Sequence, residues 1–145
     1  MAGRLVNALG AAAAASEAFS DTATLRHMLR FEAALARATA EAGLIPVKVA
    51  PIIASACDPG LYDPAPLAEA ARRTATLTVP VVKALTAEVS RRDPEAAAYV
   101  HWGATSQDVI DTAMVLQLGE AIPPLLAAIA DIVGAFAAQA EKHRV

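Results

Sequence analysis

Apolar residues recur along this chain at spacings of three and four, the spacing of one face of an α-helix. No segment shows the alternation of apolar and polar residues that is typical of a half-buried strand. Alanine, the residue with the highest helix propensity, is abundant in every periodic segment. The pattern therefore predicts an all-α fold.

Start and stop signals divide the first half of the chain into helices. A first long helix is predicted from Ser20, whose hydroxyl can cap it, to Gly43, which provides a left-handed stop. A short helix is expected over residues 49–56. Residues 1–18 are expected to form an alanine-rich, partly ordered arm. The ordered part of the chain should thus begin close to Phe19.

A second long helix is predicted from Asp63, a good N-cap residue, with Pro64 in its first turn. Three β-branched threonines and a proline follow, so a break is expected between Thr76 and Pro80. A fresh helix should then run from about Val81 to Arg91. A shorter helix that begins near Asp93 should lead into a polar segment.

The third long helix is predicted to begin at Ser106 or Gln107 and to continue past residue 140, with a kink or brief interruption at Pro123-Pro124. Beyond the prolines, apolar residues repeat with alternating steps of three and four, as in a helix packed lengthwise on other helices. We call this row the apolar seam; it consists of Leu126, Ile129, Val133, Phe136 and Ala140. Such a seam needs partner helices. The helix reaches the last residue without a cap, glycine or turn, so we expect it to be cut rather than finished.

Composition narrows the possible partners. The chain has 145 residues, a size typical of one domain, and its 12 basic and 15 acidic residues give a net charge of −3. Because no broad basic face is available, we expect no binding to nucleic acid. The single cysteine, Cys57, excludes an intramolecular disulfide and a multi-cysteine zinc site. We expect no bound metal and a small-molecule partner.

Two segments of the sequence bear on where in the cell the protein is found. Residues 1–15 weakly resemble a secretory signal, but Asn7 and Gly10 interrupt the apolar stretch, so the arm is the favoured interpretation. Residues 122–140 are long enough to cross a membrane, but Asp131 lies at their centre. Burial between the helices of a soluble protein is the better interpretation. We therefore expect a cytoplasmic protein with no membrane segment.

One polar segment between two predicted helices has the residue types of a binding site. It is His101-Trp102-Gly103-Ala104-Thr105-Ser106-Gln107-Asp108. Gly103 lets the backbone approach a ligand closely, and Thr105 and Ser106 place hydroxyls beside the free N–H groups that begin a helix. These features predict a site for a carboxylate or phosphate. His101 would neutralise the anion or exchange a proton near neutral pH, and Gln107 would add a directional hydrogen bond.

A purely structural interpretation of the same segment stays open. In that case Thr105 or Ser106 only caps the helix, Trp102 fills a pocket in the core, and His101 bonds a backbone carbonyl. The two interpretations differ in where these side chains lie. A structure can therefore distinguish them.

The segment also resembles a known family. Residues 99–112, Tyr-Val-His-Trp-Gly-Ala-Thr-Ser-Gln-Asp-Val-Ile-Asp-Thr, look like the first signature of the fumarase/aspartase superfamily. The Trp-Gly-Ala-Thr-Ser-Gln-Asp form is most similar to the 3-carboxy-cis,cis-muconate cycloisomerase branch. Residues 19–21 and 31–36 resemble the first helix of that branch. The resemblance covers residues 19–144.

The resemblance implies an all-α homotetramer whose long helices form one bundle and whose active sites each combine three subunits. It implies reversible lactonisation of a small tricarboxylate substrate in protocatechuate breakdown, without a cofactor. Thr105 and Ser106 match positions that grip a substrate carboxylate. His101 matches a position associated with substrate binding or proton transfer. These implications agree with the anion site expected from the residues themselves.

The resemblance also implies a domain division. Residues 1–18 would be the arm, residues 19–100 an N-terminal helical domain, and residues 101–145 the anion-binding loop and the first part of the central bundle. Ala75-Thr76 departs from the family, which has Gly-Asn there.

Two parts of the family's site are missing from the 145 residues: a Gly-Ser-Ser-x-Met-Pro loop with the lysine that follows it, and the second signature region. We therefore expect little or no activity from this chain alone. Two other hypotheses remain. One is a non-catalytic helical oligomerisation module that associates through the apolar seam. The other is a fumarate-releasing lyase of the same superfamily, such as adenylosuccinate lyase.

Overall fold

The computed structural model describes residues 13–144, which form helices and connecting turns without a strand. The prediction of an all-α fold is therefore confirmed. The α-helices are α1 Ala13–Ala18, α2 Asp21–Glu41, α3 Val49–Ala56, α4 Pro64–Thr74, α5 Thr78–Arg92 and α6 Ser106–Lys142. Short 3-10 helices are formed by Pro59–Leu61 and Ala96–Tyr99. Most of the arm predicted over residues 1–18, with the signal-like stretch, lies outside the described residues.

The predicted caps are present where local sequence specified them. The Ser20 hydroxyl accepts the backbone N–H of Ala23 at 3.2 Å and so begins α2. Gly43, just beyond the end of α2, has φ +73°, which is the left-handed conformation expected of a glycine stop. The Asp63 carboxylate accepts the N–H of Ala65 at 3.0 Å at the start of α4. These boundaries are confirmed.

Two predictions about helix continuity are wrong. α5 begins at Thr78 rather than Val81, because Pro80 lies in the first turn, where its missing N–H has no intrahelical role. α6 runs through Pro123-Pro124 without interruption; both prolines are exposed, and their fixed φ is close to the helical value. α1 lies within the predicted arm and packs against α6.

The break between α4 and α5 falls at Ala75, which has φ +54°. An L-residue in this conformation has its Cβ too close to the following carbonyl oxygen, which costs about 1–2 kcal/mol. Glycine lacks the Cβ and would adopt this conformation without the same strain.

We expect Ala75→Gly to raise the free energy of unfolding by about 1 kcal/mol, since the strain removed exceeds the extra backbone entropy of glycine. Urea denaturation followed by circular dichroism measures it. The matched control is Ala71→Gly inside α4, which should lower stability by about the same amount. A loss of stability in both variants would contradict the assignment of strain to Ala75.

α2 lies at the centre of the fold, where it packs against both α3 and α6. Met28, Leu29, Ile53, Leu85 and Val109 are each at most 1% exposed. They come from α2, α3, α5 and α6, so the start of α6 is fixed to the body of the domain. Gln117 secures the next turns of α6, since its amide donates to the backbone carbonyl of Ala18 and the hydroxyl of Thr24, both at 2.9 Å.

Among residues 13–144, nothing packs over the second half of α6. The last buried residue of the helix is Ala121, and the apolar side chains beyond it are exposed, with Phe136 at 73% and Val133 at 60%. The burial expected for residues 122–140 is thus not provided by residues 13–144. By length and composition α6 could cross a membrane, but the interruption by Asp131 still argues against it.

Candidate active site

A cleft opens where α5 meets the start of α6. It is lined by Thr78, Val79, Val82, Lys83, His101 and Ser106. The Thr78 hydroxyl donates to the backbone carbonyl of Ser106 at 3.1 Å and ties the two helices together at this point. Lys83 brings an ammonium group and Ser106 brings the N-terminus of a 37-residue helix. Both favour a negatively charged ligand.

The loop before α6 has two left-handed residues close together. Gly103 has φ +77° and His101 has φ +59°. A Cβ at Gly103 would meet nothing within 4 Å, so glycine is needed there for its backbone conformation and not for space. For His101 the same conformation is strained by about 1–3 kcal/mol. The turn brings the imidazole of His101 back toward α2.

His101 contacts a buried acid on α2. Its Nδ1 lies 2.7 Å from Oε1 of Glu32, and Glu32 is only 1% exposed. Burial raises the pKa of the Glu32 carboxyl, while the charge and hydrogen bond of His101 oppose that rise. The second oxygen, Oε2, has no hydrogen-bond partner among residues 13–144. Through this pair, a side chain that lines the cleft contacts a carboxyl group buried in the domain core.

Thr105 forms a capping box at the start of α6. Its hydroxyl accepts the N–H of Asp108 at 3.3 Å, and the Asp108 carboxylate accepts the Thr105 backbone N–H at 2.7 Å and hydroxyl at 2.8 Å. These hydrogen bonds, with a smaller contribution from the charge of His101, lower the pKa of Asp108. The structural interpretation, in which Thr105 caps the helix, is therefore correct for its side chain.

The positions of the other side chains in residues 101–108 also distinguish the anion-site interpretation from the purely structural one. Trp102 does not fill a core pocket; it is 46% exposed, with its ring 5.6 Å from that of Tyr99. His101 bonds Glu32 and not a backbone carbonyl. The Gln107 amide donates to Asp111 at 2.6 Å on the exposed surface of α6.

Of the five residues predicted to form the site, the structure brings His101 and Ser106 into one cleft. Gly103, Thr105 and Gln107 lie next to them in the chain but outside the lining of this cleft. Gly103 and Thr105 act on the backbone, through the turn and the cap.

Sequence reasoning missed Glu32 and Lys83 as parts of this site. Glu32 follows Leu25, Met28 and Leu29 at helical spacing, so a carboxylate on the apolar face of α2 was a usable signal. Lys83 gave no such signal. A lysine on a helix surface is ordinary, and only the packing of α5 against α6 places it beside His101.

Cys57 lies at the end of α3 and outside the cleft. Its Sγ is 3.3 Å from the carbonyl oxygen of Ile53, and burial, with a further contribution from Glu32, raises the pKa of the thiol to about 12. The thiolate is the reactive form. Cys57 is therefore a structural residue.

We expect Cys57 in the folded chain to react with iodoacetamide at pH 8 roughly a thousandfold more slowly than an unperturbed thiol, because its thiolate fraction is that much smaller. Mass spectrometry of the alkylated chain measures the rate. The control is the same chain in urea, where the rate should return to that of a free cysteine. Equal rates in the two conditions would contradict the burial of this thiol.

Comparison with known proteins agrees with this architecture. A family described as lyase matches residues 7–145. The 3-carboxy-cis,cis-muconate cycloisomerase of Bradyrhizobium diazoefficiens is 54% identical over 132 residues, covering 91% of this chain and 29% of that protein. The crystal structure of the 3-carboxy-cis,cis-muconate lactonizing enzyme from Pseudomonas putida superimposes with a TM-score of 0.88 at 43% identity, covering 97% of this chain and 32% of that one.

A relative with another name is also similar. The nitrosuccinate lyase of Streptomyces davaonensis is 50% identical over 99 residues, covering 68% of this chain and 21% of that protein. This chain therefore spans a third or less of the length of each of these relatives. The match over residues 7–145 and the superposition of the helices lead to one conclusion: the chain belongs to the lyase family, with the helical fold of the fumarase/aspartase superfamily.

Proposed function

We propose that this chain forms the carboxylate-binding part of the active site of a 3-carboxy-cis,cis-muconate cycloisomerase. The observation that carries the proposal is the cleft that joins Lys83, His101 and Ser106 at the N-terminus of α6. The similarity to the Bradyrhizobium and Pseudomonas enzymes supports the choice of reaction.

The chemistry of lactonisation matches these groups. One carboxylate oxygen of the substrate bonds to a carbon of the conjugated double bond, and the electron pair of that double bond moves toward a second carboxylate. Charge grows there until a proton is added to the neighbouring carbon. Lys83 contributes positive charge to the cleft, and the backbone N–H of Ser106 is held in place by the first turn of α6, so both stabilise the growing charge. These reaction steps need no cofactor.

His101 is the catalytic residue in this proposal. Its imidazole lines the cleft, and histidine is the side chain most often used as a general acid or base, which suits the addition and removal of the proton at carbon. Gly103 and Thr105 hold the backbone donors in place through the turn and the cap. The Gln107 amide donates one hydrogen bond to Asp111, and its second N–H is the donor that would bind substrate.

The test uses a hybrid enzyme in which residues 1–145 replace the matching part of the Pseudomonas putida enzyme. We expect the hybrid to consume 3-carboxy-cis,cis-muconate, followed as the loss of ultraviolet absorbance when the conjugated double bond reacts. The 145-residue chain alone should show little or no turnover, because a site assembled from several segments loses most of its rate without one of them. A folded hybrid that consumes none of this substrate contradicts the proposed function.

A fumarate-releasing lyase is the second candidate, favoured by the similarity to nitrosuccinate lyase. The same hybrid, with this chain joined to the remainder of the Streptomyces enzyme, distinguishes the two. Turnover of nitrosuccinate by that hybrid, with none of the muconate by the first, would favour the lyase.

We also propose that the chain associates with copies of itself in the cytoplasm through the apolar seam, as a homotetramer in the complete enzyme. The support is physical: Leu126, Ile129, Val133 and Phe136 are 48–73% exposed on one side of α6. A contiguous apolar row of this length marks an association surface. If the chain assembles without any turnover in either hybrid, the oligomerisation module becomes the better account.

A further inference from the structure

Glu32 is a buried acid that the proposed function does not use. It lies on α2 among buried apolar neighbours such as Leu29, Ala33 and Ala36. A buried carboxylate is strongly unfavourable unless it is hydrogen-bonded and paired. Within residues 13–144 its hydrogen-bond and ion-pair partner is His101, at 2.7 Å. His101 is therefore the group that compensates this buried acid.

The hydrogen bond determines which nitrogen of His101 is available to a ligand. When Glu32 is ionised it can only accept a hydrogen bond, so the proton at this 2.7 Å contact is then carried by Nδ1. The imidazole also lines the cleft beside Lys83 and Ser106. The nitrogen left for a ligand in the cleft is therefore Nε2. A carboxylate that fixes one ring nitrogen of a histidine sets the tautomer and orientation of the ring.

The charges around His101 act in both directions. Glu32 faces it from α2, and Asp108 acts on it from the first turn of α6. Both favour the protonated ring. Lys83 of α5 lines the same cleft and disfavours it. A ligand carboxylate bound in the cleft would counter the charge of Lys83 and shift the balance toward the imidazolium.

We propose that Glu32 is a positioning residue for His101, holding it in the Nδ1–H form with Nε2 toward the substrate carboxylate and stabilising the imidazolium as substrate binds. The catalytic part of this inference rests on the proposed function. The pairing itself is a property of the chain and is testable without substrate.

The first experiment is nitrogen-15 NMR on the 145-residue chain, which contains three histidines. In the unmodified chain we expect His101 to carry its proton on Nδ1 when neutral. In Glu32→Gln, which keeps the shape but removes the charge, the population of the Nδ1–H tautomer of His101 should fall, because the acceptor that selects it is weakened. Circular dichroism of both proteins checks that they are folded.

The matched control is Glu120→Gln. His27, on α2, has Nε2 3.3 Å from Oε1 of Glu120, so this chain contains a second Glu–His pair away from the cleft. Glu120→Gln should change the tautomer populations of His27 and leave those of His101 unchanged. An Nε2–H tautomer of His101 in the unmodified chain, or unchanged His101 tautomer populations in folded Glu32→Gln, overturns the proposal.

The second experiment measures turnover in the hybrid enzyme. Glu32→Gln should lower kcat by roughly 10²- to 10⁴-fold with a much smaller change in KM, since a misoriented histidine affects chemistry more than binding. Glu32→Asp should restore part of the rate, and Glu120→Gln should have no effect. A Glu32→Gln hybrid with unchanged kcat and pH profile overturns the positioning role. A hybrid with no turnover before any substitution refutes the proposed function instead and leaves the NMR result standing.

Discussion

Turnover by the hybrid enzyme is expected to fall by about 10²- to 10³-fold when both Thr105 and Ser106 are replaced by alanine. Ser106 begins α6 at the edge of the cleft, and Thr105 holds that first turn through its capping box with Asp108. Removing the two hydroxyls takes away a polar group beside the substrate and loosens the backbone donors. The loss should appear mainly in kcat, measured by the disappearance of the muconate.

Two controls separate binding from stability in this experiment. Loss of the N-cap should lower helix stability by about 1 kcal/mol, so the unfolding transition of the double variant must be measured as well. Ser90→Ala removes an exposed hydroxyl from the last turn of α5, at the opposite end of that helix from the cleft, and should leave turnover unchanged. Undiminished turnover in the double variant would remove Thr105 and Ser106 from the site.

The second large effect concerns assembly. Replacing Ile129 and Phe136 by glutamate is expected to convert the oligomer to monomers, because each carboxylate would have to be buried in an apolar interface without a partner. Both side chains are about half exposed or more, so the change should not disturb the domain core. Light scattering coupled to size-exclusion chromatography measures the mass of the particle.

The matched control places the same two charges on the other side of the helix. Ala127 and Ala138 lie opposite the seam by helical spacing, on the side that carries Asp131. Ala127→Glu with Ala138→Glu should leave the oligomer intact or weaken it much less. Equal dissociation in both double variants would mean that the seam is not the specific interface.

The helix boundaries could be predicted because caps and stops are local. Ser20, Asp63 and Gly43 act on backbone groups two to five residues away, and the structure places each where the sequence indicated. The predictions at the prolines failed because they used the residue type alone and not its position in the helix. A proline rule that ignores position in the helix predicts a break at Pro80 and an interruption at Pro123-Pro124, whereas a first turn and an exposed face tolerate them.

The site was only half predictable. His101 and Ser106 belong to one polar segment, so they were found together. Glu32 and Lys83 approach His101 only through tertiary packing, at 69 and 18 residues of separation in the chain. For Glu32 the sequence held a usable clue, a charged residue on an apolar helix face. For Lys83 it held none, because an exposed-face lysine has no distinguishing neighbours.

The length of α6 has a further consequence. One continuous helix carries the proposed anion-binding turn at its first residue and the apolar seam in its second half, over a distance of about 55 Å for 37 residues. A ligand that orders the first turn and a second subunit that orders the far half both stabilise the same helix. Where either binding event orders α6 further, thermodynamic linkage makes the effect reciprocal, so that each strengthens the other by the same factor. Ligand affinity should consequently rise with protein concentration, and dilution should release the ligand as well as the subunits.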